Sequence, residues 1–78
     1  MNAEGHRELK RLGMTIRRHR ERLHGKVSQE DFAEMCDLHR TYIGQVERGE
    51  KNISFVNILR IAKAFKTKPS ELFASGGL

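Results

Sequence analysis

The apolar residues of this chain recur at helical spacing in short blocks, each closed by a turn or cap signal, and nowhere alternate in the period of two that a strand needs. Leu9, Leu12, Ile16 and Leu23 fall within about 60° on a wheel of about 100° per residue, which predicts a first helix over 9–23 with one buried stripe. Arg20 lies on the edge of that stripe, whereas Arg11, Arg18 and Arg22 point away from it. Gly25 ends the helix, and Ser28 followed by Asp31 reads as a capping box that opens a second helix to Cys36, with Phe32, Ala33 and Cys36 facing inward. Asp37 and Leu38 leave room only for a tight turn. A third helix follows from about His39 to Arg48, buried through Ile43 and Val46 and stopped by Gly49. Ser54 caps a fourth helix on which Phe55, Ile58, Leu59, Ala62 and Phe65 recur, and Pro69 opens a short fifth that sets Leu72 and Phe73 against the core. The expected fold is all-α, one five-helix domain over residues 1–78 with its core about 9–73.

A chain of 78 residues supports one small core, which argues against an enzyme with a deep substrate pocket. Hydrophobic residues make up 37% and charged residues 32%, the balance of a folded helical domain rather than a disordered tail. The apolar runs are far too short to span a bilayer, and MNAEGHRELKR has no apolar stretch behind its basic residues, so a cytoplasmic protein without a membrane partner is expected. Cys36 is the single cysteine, which rules out an internal disulfide. Together with His6, His19, His24 and His39 it shows no metal-ligand spacing, so neither metal nor cofactor is expected. No arrangement of Ser, His and Asp orients a nucleophile. The net charge of +5 favours a polyanionic partner. Residues 1–26 hold eight Lys/Arg against three Glu, while residues 27–78 hold seven of each sign, so the excess lies in the first third.

Two short helices joined by a tight turn, the second amphipathic, are the geometry of a helix-turn-helix, here about residues 28–48. Small Ala33 sits where such helices cross, and Leu38, Ile43 and Val46 fall where the second must pack. The segment VSQEDFAEMCDLHRTYIGQVERGEKNIS resembles the helix-turn-helix of Cro/C1-type, phage-repressor-like bacterial transcription regulators, over roughly residues 9–73. RTYI and ERG are similar to small stand-alone members, among them the controller proteins of restriction-modification systems. The resemblance implies a homodimer that lays helix 3 in the major groove of double-stranded DNA. Two positions depart from the family pattern. Asp37 stands where Gly is usual and tolerates left-handed backbone, whereas His39 stands where Asp or Ser is usual and puts the helix 3 cap in question.

On helix 3, with Arg40 at zero, Tyr42, Ile43, Val46 and Glu47 occupy about 200° to 340°, and Arg40, Thr41, Gly44, Gln45 and Arg48 occupy about 0° to 140°. The first group packs and the second faces out. A polar arc by itself is an ordinary solvated face, but within a motif that resembles this family's it is expected to read DNA. Arg40 suits guanine O6 and N7, Gln45 suits adenine or a phosphate, and Thr41 offers a methyl and a hydroxyl. Gly44 costs about 1 kcal/mol in a helix interior, and admits either close approach to the duplex or merely loose packing. Tyr42 is either an edge core residue or a phenol that reaches the DNA. Arg48 meets the backbone. The resemblance places Gln29, Lys51, Asn52 and Ser54 on phosphates, although loop polarity alone accounts for the last three. It also pairs Arg20 with Glu47 across helices 1 and 3, which suits two charges on inward edges.

Glu30, Asp31, Glu34 and Asp37 form an acidic cluster that either complements the helix 2 terminus or, as in some relatives, touches RNA polymerase as an activation patch. Helix 4 spends more apolar residues, including Val56 and Ile61, than one stripe requires. Those two, with Leu72 or Phe73, are the dimer candidates unless they are plain core. The rival readings are an antitoxin, for which no long partner-binding extension is seen, or an adaptor that uses this fold without DNA.

Overall fold

The computed structural model describes residues 3–78 and arranges five helices: α1 (Ala3–Glu21), α2 (Gln29–Cys36), α3 (Arg40–Glu47), α4 (Phe55–Ala64) and α5 (Pro69–Ser75). α1 begins one and a half turns before the apolar stripe predicts, because good helix formers such as Arg7 and Glu8 extend it without needing a core contact. It also ends earlier. The Leu23 N–H bonds back to Arg20 at 3.1 Å, a tightened final turn that delivers Leu23 to the core after the α-helix proper has stopped.

The turn signals act as read. Ser28 Oγ accepts the Asp31 N–H at 3.0 Å, and Ser54 Oγ accepts that of Asn57 at 3.2 Å, capping α2 and α4. Asp37 sits at φ 57°, ψ 45°, the left-handed geometry that a glycine would adopt more cheaply. The N–H of Leu38 then returns to the Ala33 carbonyl at 2.9 Å, which closes the turn of the motif. His39 resolves its own question: its Nδ1 accepts the Thr41 N–H at 3.1 Å, so an imidazole does the work of the usual Asp or Ser.

The core runs through all five helices and the loop before α4: Leu12 and Ile16 from α1, Phe32, Ala33 and Cys36 from α2, Ile43 and Val46 from α3, Ile53, Ile61, Ala62 and Leu72. Phe65 stacks on Phe32 with ring centroids 4.6 Å apart. Burial pushes the Cys36 thiol up to about 12, so it is a packed apolar group without thiolate reactivity. The stripe on α4 is turned relative to the sequence expectation. Its inward face is Ile58, Ile61, Ala62 and Phe65, and Phe55 and Leu59, expected inside, are exposed at 65% and 41%. Two dimer candidates fall: Ile61, turned inward by that rotation, is fully buried, and Leu72 on α5 is 1% exposed, so both belong to the core. Phe73 is half-buried against the same core, and Val56 alone of the four stands clear.

α1 and α3 approach closely at Gly13. A Cβ there would lie 2.6 Å from the Glu47 carbonyl oxygen and closer still to that of Val46, so hydrogen is the only side chain the crossing accepts. Gly49 ends α3 at φ 74° with the Lys10 backbone against it, and this places the loop carrying Glu50, Lys51 and Asn52 beside α1. Among the described residues no helix is long and apolar enough to cross a membrane.

Candidate nucleic-acid interface

Beneath α3 lies an ionic frame. Arg20 donates from Nε to Glu47 Oε2 at 2.7 Å and from Nη2 to Oε1 at 3.0 Å, and its Nη1 donates to the Val27 carbonyl at 2.9 Å. Both side chains are withdrawn from water, at 11% and 2% exposure, which makes this bidentate pair the one buried ion pair among the described residues. The hydrogen bonds to Glu47 hold the Arg20 guanidinium above its ordinary value against the opposing effect of burial.

Gln29 corrects an expectation. Its Nε2 donates to Glu47 Oε1 at 2.8 Å, so the side chain assigned to phosphate alone is also part of the frame, with its second amide N–H and the main-chain N–H at the start of α2 left for a backbone contact. Gly44 lies in the same neighbourhood. A Cβ on it would meet Arg48 Nη1 at 3.2 Å and Gln29 Oε1 at 3.5 Å, so the missing side chain lets two polar side chains lie over α3.

Tyr42 has an internal partner. It is half-buried against the core and its hydroxyl accepts from Asn57 Nδ2 at 3.1 Å, which ties α3 to α4. The ring packs at the edge of the core, and the phenol O–H is left to donate outward. Ser54, exposed at the start of α4, spends its hydroxyl oxygen on the cap.

What remains outward is compact. Arg40 and Thr41 are exposed at the start of α3, Gln45 is half-buried one turn on, and Arg48 is exposed at its end. Lys51 and Asn52 project from the following loop. Arg20, Ser28, Gln29, Glu30, Arg40, Thr41, Gly44 and Arg48 line one open cleft between the start of α2 and the outer face of α3. Two acids reach into this surface. Glu30 Oε2 accepts from Arg40 Nη1 at 3.4 Å, and Glu50 accepts from Arg48 Nε at 2.8 Å and Nη2 at 3.2 Å. The Arg48 hydrogen bond holds the Glu50 carboxyl below its usual range, and Glu50 in turn raises Arg48.

The acidic cluster is thereby divided. Glu30 belongs to the α3 surface, Asp31 sits in the first turn of α2 beside the Ser28 cap, and Glu34 and Asp37 are exposed. Sequence reasoning missed Gly13, Glu50 and Asn57. A glycine inside the α1 stripe, at a cost of about 1 kcal/mol in helix propensity, was the available signal for the first. The other two carry no local signal, because their partners are fixed only by how helices and loops meet. Among the described residues no three His, Cys, Asp or Glu groups lie where they can share a metal ion.

Known proteins share both the pattern and the shape. A helix-turn-helix family profile matches residues 16–72. The control protein C.BamHI of Bacillus amyloliquefaciens is 52% identical over 46 residues, which is 59% of this chain and 57% of that one. Control protein C.SmaI of Serratia marcescens is 46% identical over 52 residues, covering 67% of this chain and 62% of that one. The chain thus spans about three fifths of the length of the curated relatives it matches. The crystal structure of the restriction-modification controller protein C.AhdI from Aeromonas hydrophila superposes with a TM-score of 0.79 at 41% identity, over 85% of this chain and 97% of that one. That of the hypothetical transcription factor NHTF from Neisseria gives 0.74 at 33% identity, over 87% and 75%. With its helix-turn-helix built on a buried ion pair and its profile match running from α1 to α5, the chain belongs to the helix-turn-helix family of Cro/C1 type.

Proposed function

We propose that this chain is a restriction-modification controller protein that binds a pseudo-palindromic operator in the bacterial cytoplasm. Two copies place their α3 helices in successive major grooves about 34 Å apart. The observation that carries the reading is the outward arc of α3: Arg40, Thr41 and Gln45 stand over a helix whose inner side is locked by Glu47, so side chains able to read base edges are held on a rigid support. Arg48, Lys51, Asn52 and the free N–H groups at the start of α2 engage phosphates around them. The second copy seats on the exposed apolar patch of Phe55, Val56 and Leu59 on α4, at 65%, 58% and 41% exposure. The first third of the chain, where the excess positive charge lies, adds salt-dependent attraction.

The test is a titration of the chain against a duplex recovered from a randomised pool and against an unrelated duplex, across a potassium chloride series. Specific binding that weakens steeply with salt is expected. Arg40→Ala should cost about 1–3 kcal/mol per half-site on the recovered duplex and much less on the unrelated one. Equal affinity of the parent chain for both duplexes would sink the reading.

We infer further that Glu34 and Asp37, exposed and with no side-chain ion pair, present the surface that touches RNA polymerase, and that Glu30 and Asp31 do not. Glu34→Ala should reduce activated transcription several-fold at unchanged operator affinity. Full activation by that variant would remove the assignment.

A further inference from the structure

Four ion pairs occur among the described residues, and two of them hold the two arginines of the outer α3 surface. Arg40 reaches back across the cleft to Glu30 on α2, and Arg48 is gripped by both oxygens of Glu50 in the following loop. The Arg48 guanidinium lies 3.2 Å from where a Cβ on Gly44 would stand, so it is folded back along α3 rather than extended from it. Both pairs are water-exposed, with side chains 52% to 69% accessible, so each is easily exchanged for a better partner.

Resting on the DNA-reading assignment of α3, we propose that Glu30 and Glu50 are specificity-determining residues: they occupy Arg40 and Arg48 until a duplex engages the whole reading face. Binding without sequence preference comes from arginines and lysines that displace counterions from phosphates. An arginine already neutralised by a carboxylate gains little by moving to a phosphate, and the move strands a negative charge beside a polyanion. At the right sequence the balance changes. Arg40 then gains two hydrogen bonds to a guanine edge, and the seated helix brings Arg48 to the backbone with the rest of its contacts made. The acids therefore subtract more from indiscriminate binding than from operator binding. They act through the arginines and touch no base themselves.

The experiment compares the full chain with Glu30→Gln, Glu50→Gln and the double variant, on the duplex recovered from the randomised pool and on poly(dI-dC), each across a salt series. The double variant should bind poly(dI-dC) about tenfold more tightly, with a salt slope steeper by about one for each arginine released, while affinity for the recovered duplex rises by less than about threefold. Glu71→Gln on α5, which removes the same charge far from α3, should reproduce neither effect. In an Arg40→Ala background Glu30→Gln should add nothing beyond that control. Equal gains on both duplexes, a gain matched by Glu71→Gln, or no gain overturns the proposal. A parent chain that binds neither duplex in a salt-dependent way overturns the DNA-reading assignment as well. A parent that discriminates while the variants discriminate equally overturns only the role of the two acids.

Discussion

Glu47→Ala is expected to lower the free energy of unfolding by about 3–5 kcal/mol, measured by urea titration followed by circular dichroism. The loss arises because Arg20 stays behind. Its guanidinium, 11% exposed, would keep only the Val27 carbonyl, and Gln29 would lose the acceptor for its amide. A domain of this size has about 5–15 kcal/mol to lose, so the variant sits at the edge of folding. The pair itself is a different matter from its rupture. Replacing both residues, as in Arg20→Met with Glu47→Leu, should recover most of the stability, since two well-packed apolar groups avoid the desolvation cost that two charges incur. Recovered stability without recovered operator binding would identify the pair as the element that orients α3. A Glu47→Ala variant within about 1 kcal/mol of the parent would contradict the buried geometry.

Gly13→Ala makes the opposite kind of demand. By helix propensity alone the change should stabilise α1 by about 1 kcal/mol. The crossing overrules propensity, because the new methyl would fall 2.6 Å from the Glu47 carbonyl oxygen, and a main-chain carbonyl cannot swing away as a side chain can. α1 and α3 must separate, which strains the packing of Ile16 and Ile43 and lengthens the Arg20–Glu47 bonds. A net loss of about 2–4 kcal/mol is expected by thermal or urea unfolding, combining overpacking with partial rupture of the ion pair. Gly13→Val should fail to fold. An alanine variant as stable as the parent would mean that the helices do not meet as closely as described.

Much of this architecture was legible because its signals are local. Ser28 and Ser54 cap the helices they were expected to cap, Asp37 takes the left-handed turn, and Arg20 and Glu47, on inward edges, form the pair that the family resemblance implied. The errors have a common source in α4. Phe55, Ile58, Leu59, Ala62 and Phe65 satisfy helical spacing, yet so do Ile58, Ile61, Ala62 and Phe65, a face turned by roughly 50°. Only the neighbours against which the helix packs choose between them, so Ile61 was offered to a partner and Phe55 to the core. At the outer surface of α3 the residue types were readable but not their partners. Gln29 and Tyr42 are polar groups at plausible contact positions, and their hydrogen bonds to Glu47 and Asn57 depend on how the helices meet.

The hydrogen bond from Asn57 to Tyr42 gains its meaning from where it sits. It joins the helix that reads to the helix that carries Phe55, Val56 and Leu59, midway between the two surfaces. In a pair of chains joined through that patch, the path from one reading helix to the other crosses this strut twice. In the proposed dimer this bond would make the spacing of the two α3 helices depend on how α3 is held against α4, so Asn57→Ala would be expected to loosen the preference for one half-site spacing.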